Sequence, residues 1–309
     1  MKEDKIKRVV IWGLKYRYHT QRHIYSAFYR TAKKMGYKTI WLEDSSNNTK
    51  LICSGDLIFA QDPVGKMVPE KFKFEDYNIP VRDDIFYCLH NVKSIFTERL
   101  KPEQVIYLQV FRKDLLAKAP NAEKWNPATY FDHESRTLFQ PWGTNLMSEE
   151  FKKPVFCKSK NMFWIGNVWN DKNNHGNLKE ISELKYVLKK HDIRFIKIKV
   201  VPDFLHIFLI RHSRIAPAIG GGFQVETDYL PCRMFKNISY GQLGFSNIKQ
   251  FNELLGEASI YSENLEEMVQ KVLALSPEEY KDIIIKQQAV IKNYTYKNAW
   301  ENIFRAFNL

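Results

Sequence analysis

The chain lacks several features that mark common protein classes. Its four cysteines are far apart and form no Cys-x-x-Cys pair, which argues against a zinc site or a disulfide framework. No run of about 18 apolar residues occurs, so we predict no membrane-spanning helix. The first residues, MKEDKIKRVVIWG, contain too short an apolar run for a signal peptide. Together these absences predict a soluble protein of a reducing compartment, the cytoplasm.

Familiar catalytic motifs are also missing. We find no G-x-G-x-x-G after the first predicted strand, and no G-x-x-x-x-G-K-[ST], G-x-S-x-G or H-E-x-x-H. These absences exclude a dinucleotide fingerprint, a P-loop, a hydrolase elbow and a zinc-protease helix. No Asp-x-Asp occurs either, and the nearest approach is Glu226-Thr227-Asp228. We therefore predict a site with no metal and no cofactor, in which cations and backbone N–H groups stabilise an anion.

The composition is that of a globular protein with an excess of positive charge. Hydrophobic residues make up 44% and aromatic residues 14%, and 47 basic against 35 acidic residues give a formal net charge of +12. This charge favours anionic partners such as phosphorylated small molecules, nucleic acid or an acidic membrane face. Because no block of five or six like charges occurs, we expect no nucleic-acid partner.

The first half of the chain predicts an α/β domain. The apolar run at 8–13 ends in a glycine, a helix follows through Lys34, and 38–42 predicts the second strand. This order opens a doubly wound domain, whose ligands bind beyond the carboxyl ends of the strands. Further strands are predicted at 56–60, 84–89, 105–111 and 128–132, and the predicted ligand edge carries Tyr16, Tyr18, His19, Thr20 and Arg22.

The second half restarts the same plan after a less regular stretch at 140–160. We predict two domains, 1–150 and 151–309, with helices at the end of the second that pack back on the first. The predicted elements are strands at 162–166 and 193–200, helices at 178–190 and 203–211, a strand in RIAPAI, and a helix start at Ser276-Pro277-Glu278-Glu279.

Residues 213–247 carry the clearest sign of a binding site. An apolar run leads into three glycines at 220–222, and a predicted helix places Arg233, Lys236, Asn237 and Tyr240 on one face. Glycine permits close approach of a ligand, and two cations in the first turns of a helix favour phosphate. The alternative is a solvated helix face beside an ordinary loop.

Two further groups are candidates. His19 could serve as a general base, or it could cap or pack against the helix that follows. The loop from Gly166 to Gly176 is rich in amides and holds Trp169, which suits sugar hydroxyls or phosphate. Ordinary Asn, Asp and Gly turn chemistry also explains this loop.

Two unequal α/β halves, a linker and C-terminal helices resemble the GT-B glycosyltransferases. The stretch RIAPAIGGGFQVETDYLPCRMFKNISYGQLGFSN is similar to the strand, glycine loop and helix that bind the donor in that family. The resemblance implies two Rossmann-like domains facing across a cleft, with the acceptor in the first and the nucleotide-sugar in the second. Many retaining members carry a glutamate on this helix, where Lys236 or Asn237 stands here.

We therefore expect a metal-independent transferase that moves a hexosyl or deoxyhexosyl group from a GDP- or UDP-sugar to a hydroxyl of a glycan or lipid-linked saccharide. A peripheral contact with an anionic membrane fits the positive charge. The alternatives are a nucleotide-sugar epimerase or other two-domain α/β enzyme, and a basic nucleic-acid-binding protein. His19 is the expected base, Tyr18, Thr20 and Arg22 are expected at the acceptor, and the expected donor residues are Gly166, Asn167, Trp169, Asn170, Arg214, Gln224, Tyr229, Arg233, Lys236, Asn237 and Tyr240.

Overall fold

The protein consists of two compact units. The computed structural model describes residues 6–15, 20–61, 78–90, 100–173 and 175–308, and it does not describe the side chains of Thr20 and Gln21. The first unit comprises 1–111, 118–140 and 296–309, and the second comprises 112–117 and 141–295. Residues 141–150, which the sequence assigned to the first domain, thus lie in the second unit, and the last helix lies in the first.

The first unit is built on an eight-stranded, mainly parallel sheet. Its strand order is β2-β1-β3-β4-β5-β8-β7-β6, in which only the β6–β7 and β7–β8 pairs are antiparallel. The order 2-1-3-4-5 is that of a doubly wound domain, so the α/β prediction is confirmed. The strands are β1 (Arg8–Trp12), β2 (Thr39–Leu42), β3 (Asp56–Gln61), β4 (Phe86–His90), β5 (Val105–Val110), β6 (Glu123–Asn126), β7 (Thr129–Asp132) and β8 (Thr137–Gln140).

Aromatic packing joins the helices of this unit to the sheet. Helix α1 (Thr20–Lys34) presents Phe28, whose ring stacks on Phe59 of β3 at 4.4 Å between centroids. The last helix of the chain, Tyr296–Ala306, places Trp300 edge-on to the Phe28 ring at 5.2 Å. The Trp300 indole N–H also donates to the Phe28 carbonyl oxygen at 3.0 Å. Trp300 therefore lies on the packing face of this helix.

A buried histidine makes the stability of this unit depend on pH. Burial lowers the pKa of His90, at the end of β4, from 6.5 to about 3. Because the folded state resists protonation, stability is full above the unfolded pKa and falls as pH drops from 6.5 towards 3. We expect a loss of up to about 1.4 kcal/mol per pH unit from this residue. Urea unfolding of wild type and His90→Leu checks it, since the stability gap between them should change across that window; a constant gap would contradict it.

The second unit holds a smaller parallel sheet surrounded by helices. Strands β9 (Asn161–Ile165) and β10 (Arg194–Ile198) pair in parallel around α3 (Leu178–Lys190), as the sequence predicts. The helix start at Ser276 is confirmed by a capping box with Glu279. The other helices are α2 (Lys113–Leu116), α4 (Asp203–Arg211), α5 (Phe223–Glu226), α6 (Cys232–Ser239), α7 (Lys249–Leu255), α8 (Leu265–Ala274), α9 (Pro277–Ile291) and, in the first unit, α10 (Tyr296–Ala306).

The segment RIAPAI is not a β-strand, which corrects the prediction. It is buried and runs beside 243–247, where the Ala218 N–H donates to the Phe245 carbonyl oxygen at 2.9 Å. Side chains bind its other carbonyl groups in place of a regular ladder. The Asn237 amide donates to the Ala216 carbonyl oxygen at 2.8 Å, and the Ser246 hydroxyl donates to that of Ala218 at 2.6 Å. The Gln242 amide donates to the carbonyl oxygen of Ser213, just before the segment, at 2.9 Å.

Candidate functional site

Arg233 is the centre of the candidate site. It lies in the first turn of α6, and its guanidinium carbon is 3.7 Å from the centroid of the Trp164 ring on β9. A guanidinium nitrogen lies 2.9 Å from where a Cβ on Gly166 would stand, and Gly166 has a φ of +125°. Gly166 follows β9, so the cation lies at the carboxyl end of the parallel pair, where α/β proteins bind ligands.

The Arg233 guanidinium has no carboxylate partner among the described residues. Burial lowers its pKa to about 10, because the charge has lost water that no counter-ion replaces. The Trp164 ring offsets part of this cost through a cation–π contact. A half-buried cation of this kind is a candidate for binding an anion, because a bound anion would offset part of the cost of burying the charge.

The start of α6 adds further donors. Its N-cap is Pro231, which supplies no side-chain oxygen to the N–H groups of the first turn. Lys236 is half-buried one turn later and has no ion pair within the described part of the chain. The dipole of α6, its first N–H groups and Arg233 all favour negative charge at the start of the helix, whereas Lys236 lies in its last turn.

Asn237 and Tyr240 are buried, whereas Arg233 and Lys236 are half-buried. The four side chains therefore do not form a single ligand face, which corrects the prediction. Asn237 is buried and its amide holds the Ala216 carbonyl oxygen. Tyr240 is buried just past the end of α6, and its hydroxyl donates to Asn145 Oδ1 at 2.6 Å. Neighbouring segments cover this part of the helix, so these two side chains support the site from behind.

The three glycines form a closely packed turn. The Asn247 side chain accepts from the Gly220 N–H and donates to the Gly220 carbonyl oxygen, both at 2.9 Å. A Cβ on Gly221 would lie 2.5 Å from Asn177 Cα and 2.5 Å from the Gly176 carbonyl oxygen. Gly222 has a φ of 39° and precedes α5. The glycines thus bring this turn against the loop that follows β9.

The amide-rich loop after β9 is folded by its own side chains. The Trp169 N–H donates to Asn177 Oδ1 at 3.3 Å, and the Gly176 N–H donates to Asn170 Oδ1 at 3.1 Å. Asp171 accepts from the His175 N–H at 3.0 Å, and this bond, with that from Asn173, lowers the pKa of the Asp171 carboxyl. The side chains of Asn167 and Trp169 are exposed, so they remain candidates for hydroxyl or ring contacts.

Gln224 lies in α5, Tyr229 follows the helix, and both are half-buried. The Tyr229 N–H donates to the Gln224 carbonyl oxygen at 3.0 Å, which closes the turn after the helix. Burial raises the pKa of the Tyr229 hydroxyl, so this side chain is neutral and suited to stacking. Gln224 and Tyr229 therefore remain candidate donor-binding residues.

Arg214 is separated from Arg233. The backbone N–H of Arg214 donates to the carbonyl oxygen of Asn161, the first residue of β9. Gly166, which lies beside Arg233, follows the last residue of that strand. Five strand residues span roughly 16 Å. The Arg214 guanidinium lies over the Phe156 ring at 4.8 Å and donates to the Cys157 carbonyl oxygen at 3.3 Å. The prediction that Arg214 assists at the donor site is therefore corrected.

Solved structures match this architecture, while no family model and no curated protein sequence matches the chain. One neighbour is an alpha-glucosyltransferase in complex with UDP and a 13-mer DNA containing an HMU base, with 9% identity and a TM-score of 0.53. The alignment covers 98% of this chain and 100% of the neighbour's chain. The apo structure of OtsA has 12% identity and a TM-score of 0.50, and the alignment covers 94% of this chain and 79% of the OtsA chain.

The chain has a GT-B fold. At these identities the likeness establishes the fold, so donor, acceptor and chemistry have to be argued from residues. In GT-B terms, Arg233 and the glycine turn lie in the half that the resemblance assigns to the donor.

The residues predicted for the acceptor side are only partly described. His19 and Tyr18 lie outside the described residues, and so does the side chain of Thr20, whose backbone begins α1. Arg22 is exposed in the first turn of α1. The roles of all four remain predictions.

Sequence reasoning missed three residues that shape the site. Trp164 supports the Arg233 guanidinium, and Asn247 fixes Gly220. Asn177, directly before α3, holds the loop by accepting from the Trp169 N–H. The hydrophobic pattern identifies Trp164 only as a core residue of a strand. No local signal marks Asn247, although Asn177 directly before a helix is a typical N-cap residue. In the described ranges, no group of three His, Cys, Asp or Glu residues is placed to hold a metal ion.

Proposed function

We propose that this protein is a glycosyltransferase that takes a sugar from a nucleotide-diphosphate sugar and transfers it to an acceptor hydroxyl. The observation that carries the proposal is Arg233, a half-buried cation in the first turn of α6 with no counter-ion among the residues that the structure describes. Its position at the carboxyl end of β9, in a GT-B fold, fits the diphosphate of a donor.

In this mechanism the leaving group is the nucleoside diphosphate, and its departure places negative charge on the β-phosphate. Arg233, Lys236 and the first N–H groups of α6 stabilise that charge, which develops as the bond to the sugar breaks. The glycine turn at 220–222 packs against the start of α3 and supports the loop after β9 beside the donor. Exposed amides of the loop after β9, including Asn167, take sugar hydroxyls. The reaction so described uses neither a metal nor a cofactor.

The acceptor we propose is a hydroxyl of a glycan or a lipid-linked saccharide. If the reaction inverts the anomeric centre, a base has to remove the hydroxyl proton, and His19 is the residue assigned to that role. The base and sugar of the donor are expected among UDP- and GDP-hexoses. UDP is the first choice because one structural neighbour was solved with UDP bound.

A thermal-shift panel tests the donor. UDP, GDP, CMP and dTDP, each with its sugars, are added to the full chain without divalent metal, and a ligand at 100 times its Kd should stabilise by about 2.7 kcal/mol. We expect a diphosphate nucleotide to raise the melting temperature and CMP to have little effect. No response to any of them would overturn the proposal.

A turnover assay with the responding donor then tests the acceptor. Release of nucleotide diphosphate should depend on an added saccharide acceptor. Conversion of the donor sugar with no acceptor present would favour an epimerase, and turnover on DNA alone would contradict the saccharide acceptor. A His19→Ala enzyme that binds donor and turns over at a near-normal rate would remove His19 from the chemistry.

A further inference from the structure

One surface of the second unit exposes large apolar side chains close together. On α4, Phe204 is 73% and Phe208 is 52% exposed, and Val200, just before the helix, is 39% exposed. Residues four apart on a helix share a face, so Phe204 and Phe208 lie on the same side of α4, where the Phe208 ring packs on His212 at 4.0 Å between centroids. We call Val200, Phe204 and Phe208 the α4 patch. No other described stretch places three large exposed apolar residues within nine positions.

The α4 patch is not a packing face that the core has left open. The other side of α4 is occupied, because Ile210 is buried in a cluster with Leu146, Ile165 and Tyr240. Arg211 anchors the end of the helix through bonds to the Lys153 and Tyr240 carbonyl oxygens, both at 2.8 Å. Phe204 and Phe208 are therefore exposed on a helix that is held in place from its other side.

Two exposed lysines lie beside the patch. Lys197 and Lys199 are exposed on the chain that leads from β10 into Val200. The acidic residue in the first turn of α4 is Asp203, whose carboxylate accepts from the Asn145 amide at 2.9 Å. The whole chain carries a net charge of +12. Apolar anchors beside lysines are the combination that binds anionic lipid headgroups and the acyl boundary below them.

The size and charge of the patch argue against a second copy of the chain as its occupant. Two partly exposed rings offer roughly 250 Å², whereas a stable interface needs about 800 Å² from each partner. A symmetric dimer would also bring the same lysines of both copies together, and like charges repel. No helix in the described residues is long and apolar enough to cross a bilayer.

We infer that the α4 patch, with Lys197 and Lys199, docks this protein on an anionic membrane surface. Phe204 and Phe208 insert at the headgroup level while the lysines contact acidic headgroups. This inference goes beyond sugar transfer and does not depend on it. Docking would place a transferase where a lipid-linked acceptor is found.

Co-sedimentation with vesicles tests the inference on the full chain. Wild type should bind vesicles that contain phosphatidylserine and bind pure phosphatidylcholine at least about tenfold more weakly. Phe204→Ser with Phe208→Ser should weaken binding to phosphatidylserine vesicles roughly tenfold or more, because both inserted rings are lost. Lys197→Glu with Lys199→Glu should weaken it by a similar factor. Unchanged melting temperatures show that the variants fold.

Two matched controls separate the patch from general properties of the surface. Tyr186→Ser with Ile285→Ser removes side chains that are 64% and 56% exposed on other helices, and should leave binding unchanged. Lys281→Glu with Lys286→Glu makes the same change in net charge elsewhere and should have a much smaller effect than the patch lysines. Absence of binding by wild type overturns the inference, and so do equal losses in patch and control variants. A dimer of wild type that Phe204→Ser with Phe208→Ser dissociates, with vesicle binding unchanged, overturns it as well.

Discussion

Arg233→Met is expected to raise the melting temperature of the ligand-free protein and to abolish most of its response to a nucleotide diphosphate. Arg233 is half-buried and has no carboxylate partner in the described part of the chain. Burial lowers its pKa to about 10, so its charge is a cost to the folded state. Methionine removes that charge and keeps contact with the Trp164 ring. We expect a gain of roughly 1 kcal/mol, or about 2–4 °C in melting temperature.

The same change should weaken binding of the nucleotide roughly 10- to 100-fold, because a charge-assisted contact to phosphate is lost. The opposite signs of the two effects distinguish a ligand-binding arginine from a structural one. Thermal scans give the first quantity and calorimetric titration gives the second. Arg214→Met is the control, since Arg214 lies at the other end of β9 and should leave nucleotide affinity unchanged. A destabilised Arg233→Met protein with normal affinity would contradict this account.

Gly221→Ala is expected to destabilise the folded protein strongly. The added Cβ would meet two main-chain atoms at 2.5 Å, Asn177 Cα and the Gly176 carbonyl oxygen, and neither belongs to a side chain that can rotate away. The turn would have to move off the start of α3. We expect a loss of about 3 kcal/mol or more in the free energy of unfolding, together with loss of nucleotide binding.

Denaturant unfolding of Gly221→Ala beside Gly36→Ala checks the steric origin of that loss. Gly36 has a φ of +89° but open space around it, so alanine there brings only backbone strain. We expect about 1 kcal/mol for this control. A Gly221→Ala protein as stable as Gly36→Ala would show that the glycine turn is not packed as described.

Much of the fold follows from local pattern. Short apolar runs flanked by glycine predict β1 and β9, since strands of a parallel sheet are buried on both faces. The sequence SPEE predicts the start of α9, because capping depends on residues within one turn. Arg233 was identified for the same reason: a cation in the first turn of a helix is visible in the sequence alone.

The parts that escaped prediction depend on contacts between distant residues. RIAPAI looks like a strand, yet its carbonyl groups bond to side chains such as Asn237, 21 residues further along the chain. The face that carries Arg233 also carries Asn237 and Tyr240, and only the fold decides that the latter two are covered. Arg214 directly precedes the apolar run that leads to the glycines. In the fold it lies at the start of β9, whereas Arg233 lies at the other end of that strand.

The most direct test of the central claim is a crystal structure of the protein grown with the nucleoside diphosphate that stabilises it. We expect the β-phosphate beside the first turn of α6, within hydrogen-bond distance of the Arg233 guanidinium and facing the glycine turn at 220–222. A diphosphate bound elsewhere, with Arg233 still lying over Trp164 and unoccupied, would contradict the proposed donor site.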